Sequence, residues 1–166
     1  MVYLALGSNL GDRQAYLLSA VDGLSRRGVQ IICSASLYSS EPQNMPGQPW
    51  FLNTVVEANT LLSPQELLEI CLIVEEENFR KRKGAKESRT LDIDIIFYGD
   101  RILKTPGLTI PHPEFRNRRF VLEPLAEIAP DFVDPVGRKS IRHLLENVND
   151  PGGIHLFAPP LRQKIL

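Results

Sequence analysis

Asp92 and Asp94 stand two residues apart in "RTLDIDIIFYG" (residues 89–99), inside an otherwise apolar run. On a β-strand that spacing puts both carboxylates on one face, roughly 6.5–7 Å apart. Leu91, Ile93, Ile95 and Phe97 then make an unbroken apolar face, and Ile96 shares the acidic one. Two carboxylates that close repel, and one tends to keep its proton unless a cation intervenes. Magnesium commonly sits between one or two carboxylates and a substrate's phosphates. A solvated strand face, or carboxylates paired with arginine, would give the same pattern, so the pair alone leaves all three open.

The neighbouring cations narrow the choice. Arg80, Lys81, Arg82, Lys83, Lys86 and Arg89 crowd into ten residues, relieved only by Glu87, and Arg116, Arg118 and Arg119 form a second group in "HPEFRNRRF". Either run alone reads as a solvated face. Two runs flanking a carboxylate pair point to a polyphosphate clamped by arginines and carried with magnesium. "GSNLGD" lacks the lysine and spacing of a Walker A loop, so side chains must do that work. Gly7, Ser8 and Asn9 read as turn and capping residues. Phe51 and Asn53 share a strand face, where an aromatic beside an amide can stack on a flat heterocycle and read its edge. Core packing is the other reading of Phe51, and equally of Phe120. His112, between two prolines in "PHPEF", is not placed as a core histidine.

Those residues need elements to hold them. Val2 to Leu6 reads as a short buried strand ending at Gly7. Leu17, Ala20, Val21 and Leu24 fall at helical spacing, and Gly28 ends that helix. "VQIICSASL" (29–37) alternates as one strand, "SSEPQNMPGQP" (39–49) is a proline-broken loop, and a further strand follows in "WFLNTVVEANT". Ser63, Pro64 and Glu66 open a second helix with a capping box, buried through Leu67, Ile70, Cys71 and Val74. The order β-α-β-β-α-β predicts an α+β, ferredoxin-like domain: one antiparallel sheet backed by two helices. Shorter helical patterns lie near 120–128 and 140–147. Residues 1–148 are expected to form a single domain, and 149–166 a surface-draped or mobile C-terminal tail.

Composition sets the outer limits. The chain has 166 residues, 43% hydrophobic and 23% charged, enough for one good core and too short for two ordinary domains. A formal net charge of −1 excludes a globally basic nucleic-acid binder. RNA-recognition modules share the βαββαβ order, but they need aromatic and basic residues on the central strands, where "LDIDI" puts carboxylates. Cys33 and Cys71 have no disulfide-framework or zinc spacing and read as reduced packing residues. "MVYLALGSNL" has no basic n-region and too short an apolar run for a signal peptide or membrane span, so the expected compartment is the cytoplasm, with no membrane partner.

Taken in order, "YLALGSNLGDR", "SLYSSEP", "QPWFLNTVV", "SPQELL", "VEEENFRKR", "RTLDIDIIFYGD" and "TIPHPEFRNRRFVLEPLAEIAP" resemble the 6-hydroxymethyl-7,8-dihydropterin pyrophosphokinases of folate biosynthesis, over nearly all of residues 3 to 130. The resemblance implies the ferredoxin-like fold and transfer of pyrophosphate from ATP to the pterin's hydroxymethyl group, with release of AMP. It further implies that Asp92 and Asp94 bind two magnesium ions, and that Arg80, Arg89 and Asp94 are catalytic. Phe51 and Phe120 would sandwich the pterin, with Asn53 at its edge and main-chain groups of Ser40 and Gln43 beside it. Glu75, Arg82, His112 and Arg118 match ATP-binding positions. The chain departs from the family at Glu87-Ser88, where Gly-Pro is usual, and at Phe79, where a glycine often precedes the arginine. A binding protein of the same fold with weakened catalysis is the alternative. The expected assembly is a monomer or weak homodimer.

Overall fold

The computed structural model describes residues 1–43, 46–80 and 88–164. Its elements are β1 (Val2–Ser8), α1 (Arg13–Ser25), β2 (Val29–Ser34), β3 (Leu37–Ser40), β4 (Phe51–Thr60), α2 (Pro64–Glu77), β5 (Asp92–Tyr98), a hairpin of β6 (Leu103–Thr105) and β7 (Leu108–Ile110), a 3₁₀ turn (Phe115–Asn117), α3 (Arg119–Ile128), α4 (Ile141–Asn147) and β8 (Ile154–Ala158). Local chemistry explains both long helices. The Asp12 carboxylate accepts the Ala15 N–H at the start of α1, and Ser63 with Glu66 closes the reciprocal capping box of α2, with Pro64 in the first turn.

The main sheet runs β5-β1-β4-β3-β8, with β2 also on β4, and its ladders are antiparallel. This is the α+β, ferredoxin-like arrangement, with its second strand interrupted. The run expected as one strand over 29–37 is two: β2 pairs with Val56–Thr60 and β3 with Phe51–Asn53. Between them, Ser36 turns its N–H and hydroxyl out of the ladder to Glu127 of α3, both at 2.9 Å. Residues 149–166 also differ from expectation. Within them Ile154–Ala158 form β8, which pairs with β3 from Leu37↔Ala158 to Ser40↔Ile154.

Helices α1 and α2 bury one face of the sheet around Leu4, Leu6, Leu17, Leu24, Leu67, Val74, Leu91, Ile93 and Ile95. The opposite face has its own core, in which Tyr3, Val55, Ile96 and Phe97 meet Phe115, Val121, Leu122, Leu125 and Ile141 from the C-terminal third. Phe97 therefore lies on the reverse of the face predicted for it. A β-bulge causes this: Leu4 pairs with Ile95 but Tyr3 with Phe97, so Ile96 is an extra residue and the alternation slips by one. Cys33 and Cys71 are buried free thiols. Among the described residues, no helix is long and apolar enough to cross a membrane.

Candidate active site

The second face is left partly open beyond α3, and there the chain forms a cavity of about 220 Å³. Asp92 and Asp94 line it from β5, Gly7 from β1, Ser40 from β3, and Phe51 and Asn53 from β4, with Gln43, Arg89, Arg118 and Phe120 among the other lining residues. Sheet register explains the convergence. Gly7 pairs with Asn53 on one side and Asp92 on the other. Amide, glycine and carboxylate thus form one row across three strands, each step about 5 Å. A Cβ at Gly7 would stand 2.9 Å from the Asn53 Oδ1 and 3.6 Å from the Phe51 ring, so glycine keeps the floor of the row clear. β1 continues through this position, where a turn was expected.

Arg80 reaches Asp92 because of how α2 ends. The Arg80 N–H donates to the Glu75 carbonyl and the Phe79 N–H to that of Glu76, the paired bonds of a Schellman cap. Phe79 occupies the left-handed position of that motif, with φ 64°. Glycine is favoured there, which accounts for the family's glycine and makes Phe79 a strained replacement. The Arg80 Nη1 donates to Asp92 Oδ1 (2.7 Å), Glu75 Oε2 (3.1 Å) and the Leu91 carbonyl (2.9 Å). The Arg89 Nη1 donates to the other oxygen, Asp92 Oδ2, at 3.1 Å. Both oxygens of Asp92 are therefore held by guanidinium groups. Glu75 is buried and also accepts the Ile93 N–H of β5 (3.0 Å); it stands behind Arg80 and does not line the cavity.

Asp94 has a different environment. Burial, then the Asp92 charge, pushes its pKa up to about 7, with Arg118 and Arg89 opposing the rise. His112 faces it, Nε2 to Oδ2 at 3.8 Å. The loop is pinned to the bulge, since the His112 N–H donates to the Ile96 carbonyl (3.0 Å). The Glu114 N–H donates to His112 Nδ1 (3.1 Å), so the proton of the neutral ring sits on Nε2, towards Asp94. Burial, reinforced by Arg118, lowers the His112 pKa to about 4.

The remaining expected residues divide. Phe51 and Phe120 are half-buried and line the cavity, with the Arg118 guanidinium 5.6 Å from the Phe120 ring centre. Asn53 donates through Nδ2 to the Ser40 hydroxyl, and both are buried. Of the second basic cluster, only Arg118 faces the cavity. Arg116 makes a bidentate pair with the fully buried Asp134 (2.6 and 2.9 Å). Burial alone would raise the Asp134 pKa, but the hydrogen bonds from Arg116 hold it below the usual carboxylate range. Arg82, with Lys81, Lys83, Lys86 and Glu87, lies outside the described residues. Sequence reasoning missed Gly7, Glu41 and Thr54 in the lining, and Asn9, which is buried and bonded to the Arg89 backbone. The one available signal for Asn9 was a side-chain amide directly following a buried strand.

Chemically, the row offers oxygen donors to a hard cation at one end and an aromatic-amide surface at the other. Among the described residues, no group of three or more His, Cys, Asp or Glu could hold a metal by itself. The carboxylate pair therefore suits a magnesium-like ion whose remaining ligands come from a phosphate chain and water. Asp94, reluctant to ionise without a cation, fits the same donor set.

Residues 3–130 match the family model for 7,8-dihydro-6-hydroxymethylpterin-pyrophosphokinase. The chain is 40% identical over 153 residues to the 2-amino-4-hydroxy-6-hydroxymethyldihydropteridine pyrophosphokinase of Methylorubrum extorquens, covering 92% of this chain and 95% of that one. It is also 40% identical over 149 residues to the folic acid synthesis protein fol1 of Pneumocystis carinii, covering 90% of this chain but 20% of that protein, so it spans a fifth of the longer relative. A crystal structure of Plasmodium falciparum HPPK-DHPS is similar in fold, with a TM-score of 0.66 at 17% identity, over 87% of this chain and 43% of that one.

Proposed function

The chain belongs to the 7,8-dihydro-6-hydroxymethylpterin-pyrophosphokinase family, and from that premise we infer that it transfers pyrophosphate from ATP to the hydroxymethyl oxygen of 6-hydroxymethyl-7,8-dihydropterin, releasing AMP, in folate biosynthesis. The observation that carries the site assignment is the Asn53–Gly7–Asp92 row, which joins a heterocycle-sized cavity to a carboxylate pair whose Asp92 is bonded to Arg80 and Arg89.

Phe51 and Phe120 stack on the pterin, and Asn53 with main-chain groups near Ser40 and Gln43 reads its edge. Arg118, His112 and Arg82 bind ATP. Asp92 and Asp94 would hold two magnesium ions, and the chemistry these would supply is neutralisation of phosphate charge and orientation of the reacting oxygens. Arg80 and Arg89 stabilise charge that grows on the transferred group, the kind of preorganised donation on which phosphoryl-type transfer depends. Glu75 acts through Arg80 and β5, because its carboxylate is committed to the Arg80 guanidinium and the Ile93 N–H.

Incubation with ATP, magnesium and 6-hydroxymethyl-7,8-dihydropterin tests the reading. AMP is the expected nucleotide product, in equal amount to pyrophosphorylated pterin. ADP would overturn the assignment.

A further inference from the structure

Two walls of the cavity are tied together from outside it, by Asp150. The Asp150 Oδ2 accepts from the Gln43 side-chain Nε2 (2.9 Å) and from the Arg119 backbone N–H (3.0 Å), while Oδ1 accepts the Gly152 N–H (3.0 Å). Gln43 lines the cavity on the segment that follows β3, and Arg119 directly precedes Phe120 at the start of α3. One carboxylate oxygen thus fixes the distance between them. The residues after Asp150 reinforce the first wall. The Glu41 N–H donates to the Gly153 carbonyl (2.9 Å), the Gly153 N–H returns a bond to the Glu41 carboxylate (3.0 Å), and Ser40 pairs with Ile154. The Trp50 and His155 rings lie 5.5 Å apart. The family match covers residues 3–130, and this segment follows it.

We propose that Asp150 is a positioning residue of the substrate cavity, setting the spacing between the Gln43 wall and the Phe120 wall that a flat bicyclic substrate must enter. The proposal rests on the pterin reading above. Without the carboxylate, the two walls have to be ordered when substrate binds, and that ordering weakens affinity. The loss applies equally to the bound ground state and the transition state, so it falls on KM rather than kcat.

The test measures AMP formation by the wild-type chain and by Asp150→Ala, Asp150→Asn and Gln43→Ala, varying each substrate separately, beside equilibrium titration of pterin. Asp150→Ala is expected to raise the pterin KM about 5- to 30-fold, the effect of one or two lost hydrogen-bonded restraints. The ATP KM and kcat should stay within about twofold. Asp150→Asn should recover most of the affinity, because its amide oxygen can still accept from both Gln43 and Arg119 and gives up only the Gly152 bond. Gln43→Ala removes one arm with Asp150 intact and should raise the pterin KM by itself, which keeps the test open if Asp150→Ala folds poorly. An unchanged pterin KM in Asp150→Ala or Gln43→Ala, or an equal rise for both substrates, overturns the positioning role. Absence of AMP from the wild-type chain overturns the functional reading beneath it, a separate and recognisable result.

Discussion

Asn9 holds Arg89 by the backbone on both sides: its Oδ1 accepts the Arg89 N–H at 2.7 Å, and its own N–H donates to the Arg89 carbonyl at 3.1 Å. Its Nδ2 donates to the Pro49 carbonyl at 3.1 Å, so the start of β4 and the approach to β5 share one anchor. Arg89 therefore meets Asp92 from a fixed origin. Asn9→Ala removes the acceptor of the Arg89 N–H, which should cost about 1–3 kcal/mol in urea melts. The displaced guanidinium should lower kcat about 10- to 100-fold. Unchanged kcat in a folded variant would show that Arg89 finds its place without Asn9.

The two aspartates should respond oppositely to neutralisation in the metal-free protein. Asp92→Asn takes a charge from two guanidinium groups and should destabilise by about 1–3 kcal/mol. Asp94→Asn removes a carboxylate whose ionised form the fold disfavours, and should stabilise at neutral pH. Both changes should abolish turnover. Paired urea melts check the sign, and destabilisation of both would mean that Asp94 is also neutralised by a cation.

The same shifts give a pH signature without metal. Asp94 rises from 3.8 to about 7, so the stability it adds while protonated is complete below pH 3.8 and is lost as pH climbs through 7. His112 falls from 6.5 to about 4, so its contribution is complete above pH 6.5 and is lost as pH drops through 4. The stability advantage of Asp94→Asn over the wild type should therefore grow from pH 4 to 7 and level off above it. A flat difference across that window would mean that Asp94 titrates as an ordinary carboxylate.

Phe79→Gly should stabilise. The left-handed backbone at Phe79 costs an L-residue roughly 1–2 kcal/mol, and its ring is 72% exposed, so little packing is lost. The greater freedom of glycine in the unfolded chain offsets part of that gain, leaving about 0.5–1 kcal/mol. Thermal melts of the two proteins decide it, and a lower Tm for the glycine variant would place a packing role on the ring.

Phe51→Ala and Phe120→Ala separate a stacking pocket from core packing. Each ring face should contribute about 1–3 kcal/mol to binding, so pterin affinity should fall about 5- to 150-fold. Stability should fall less than the roughly 3–5 kcal/mol of a buried phenylalanine, because both rings are half-buried. Affinity by titration and stability by urea, measured on the same variants, distinguish the two. Collapsed stability with normal affinity would return both rings to the core.

Much of this protein is written in short-range pattern. Alternation puts Asp92 and Asp94 on one strand face, Ser63 to Glu66 caps α2, and helical spacing marks α1 through Leu17 and Leu24. Each depends on residues a few positions apart, where backbone geometry leaves few choices. The tertiary structure decided whatever needed distant partners. It put an extra residue at Ile96 and turned Phe97 to the second core, since a bulge depends on the facing strand. It spent Arg116 on Asp134 and left Arg118 for the cavity, although both stand in the same basic run. It also put Ile154–Ala158 into the sheet as β8 and set Asp150 behind the cavity, bonded to the Gln43 side chain and the Arg119 backbone. Charge and polarity mark a residue as able to bond, but only the packed chain chooses its partner, because a buried charge or amide must find one wherever the fold brings it.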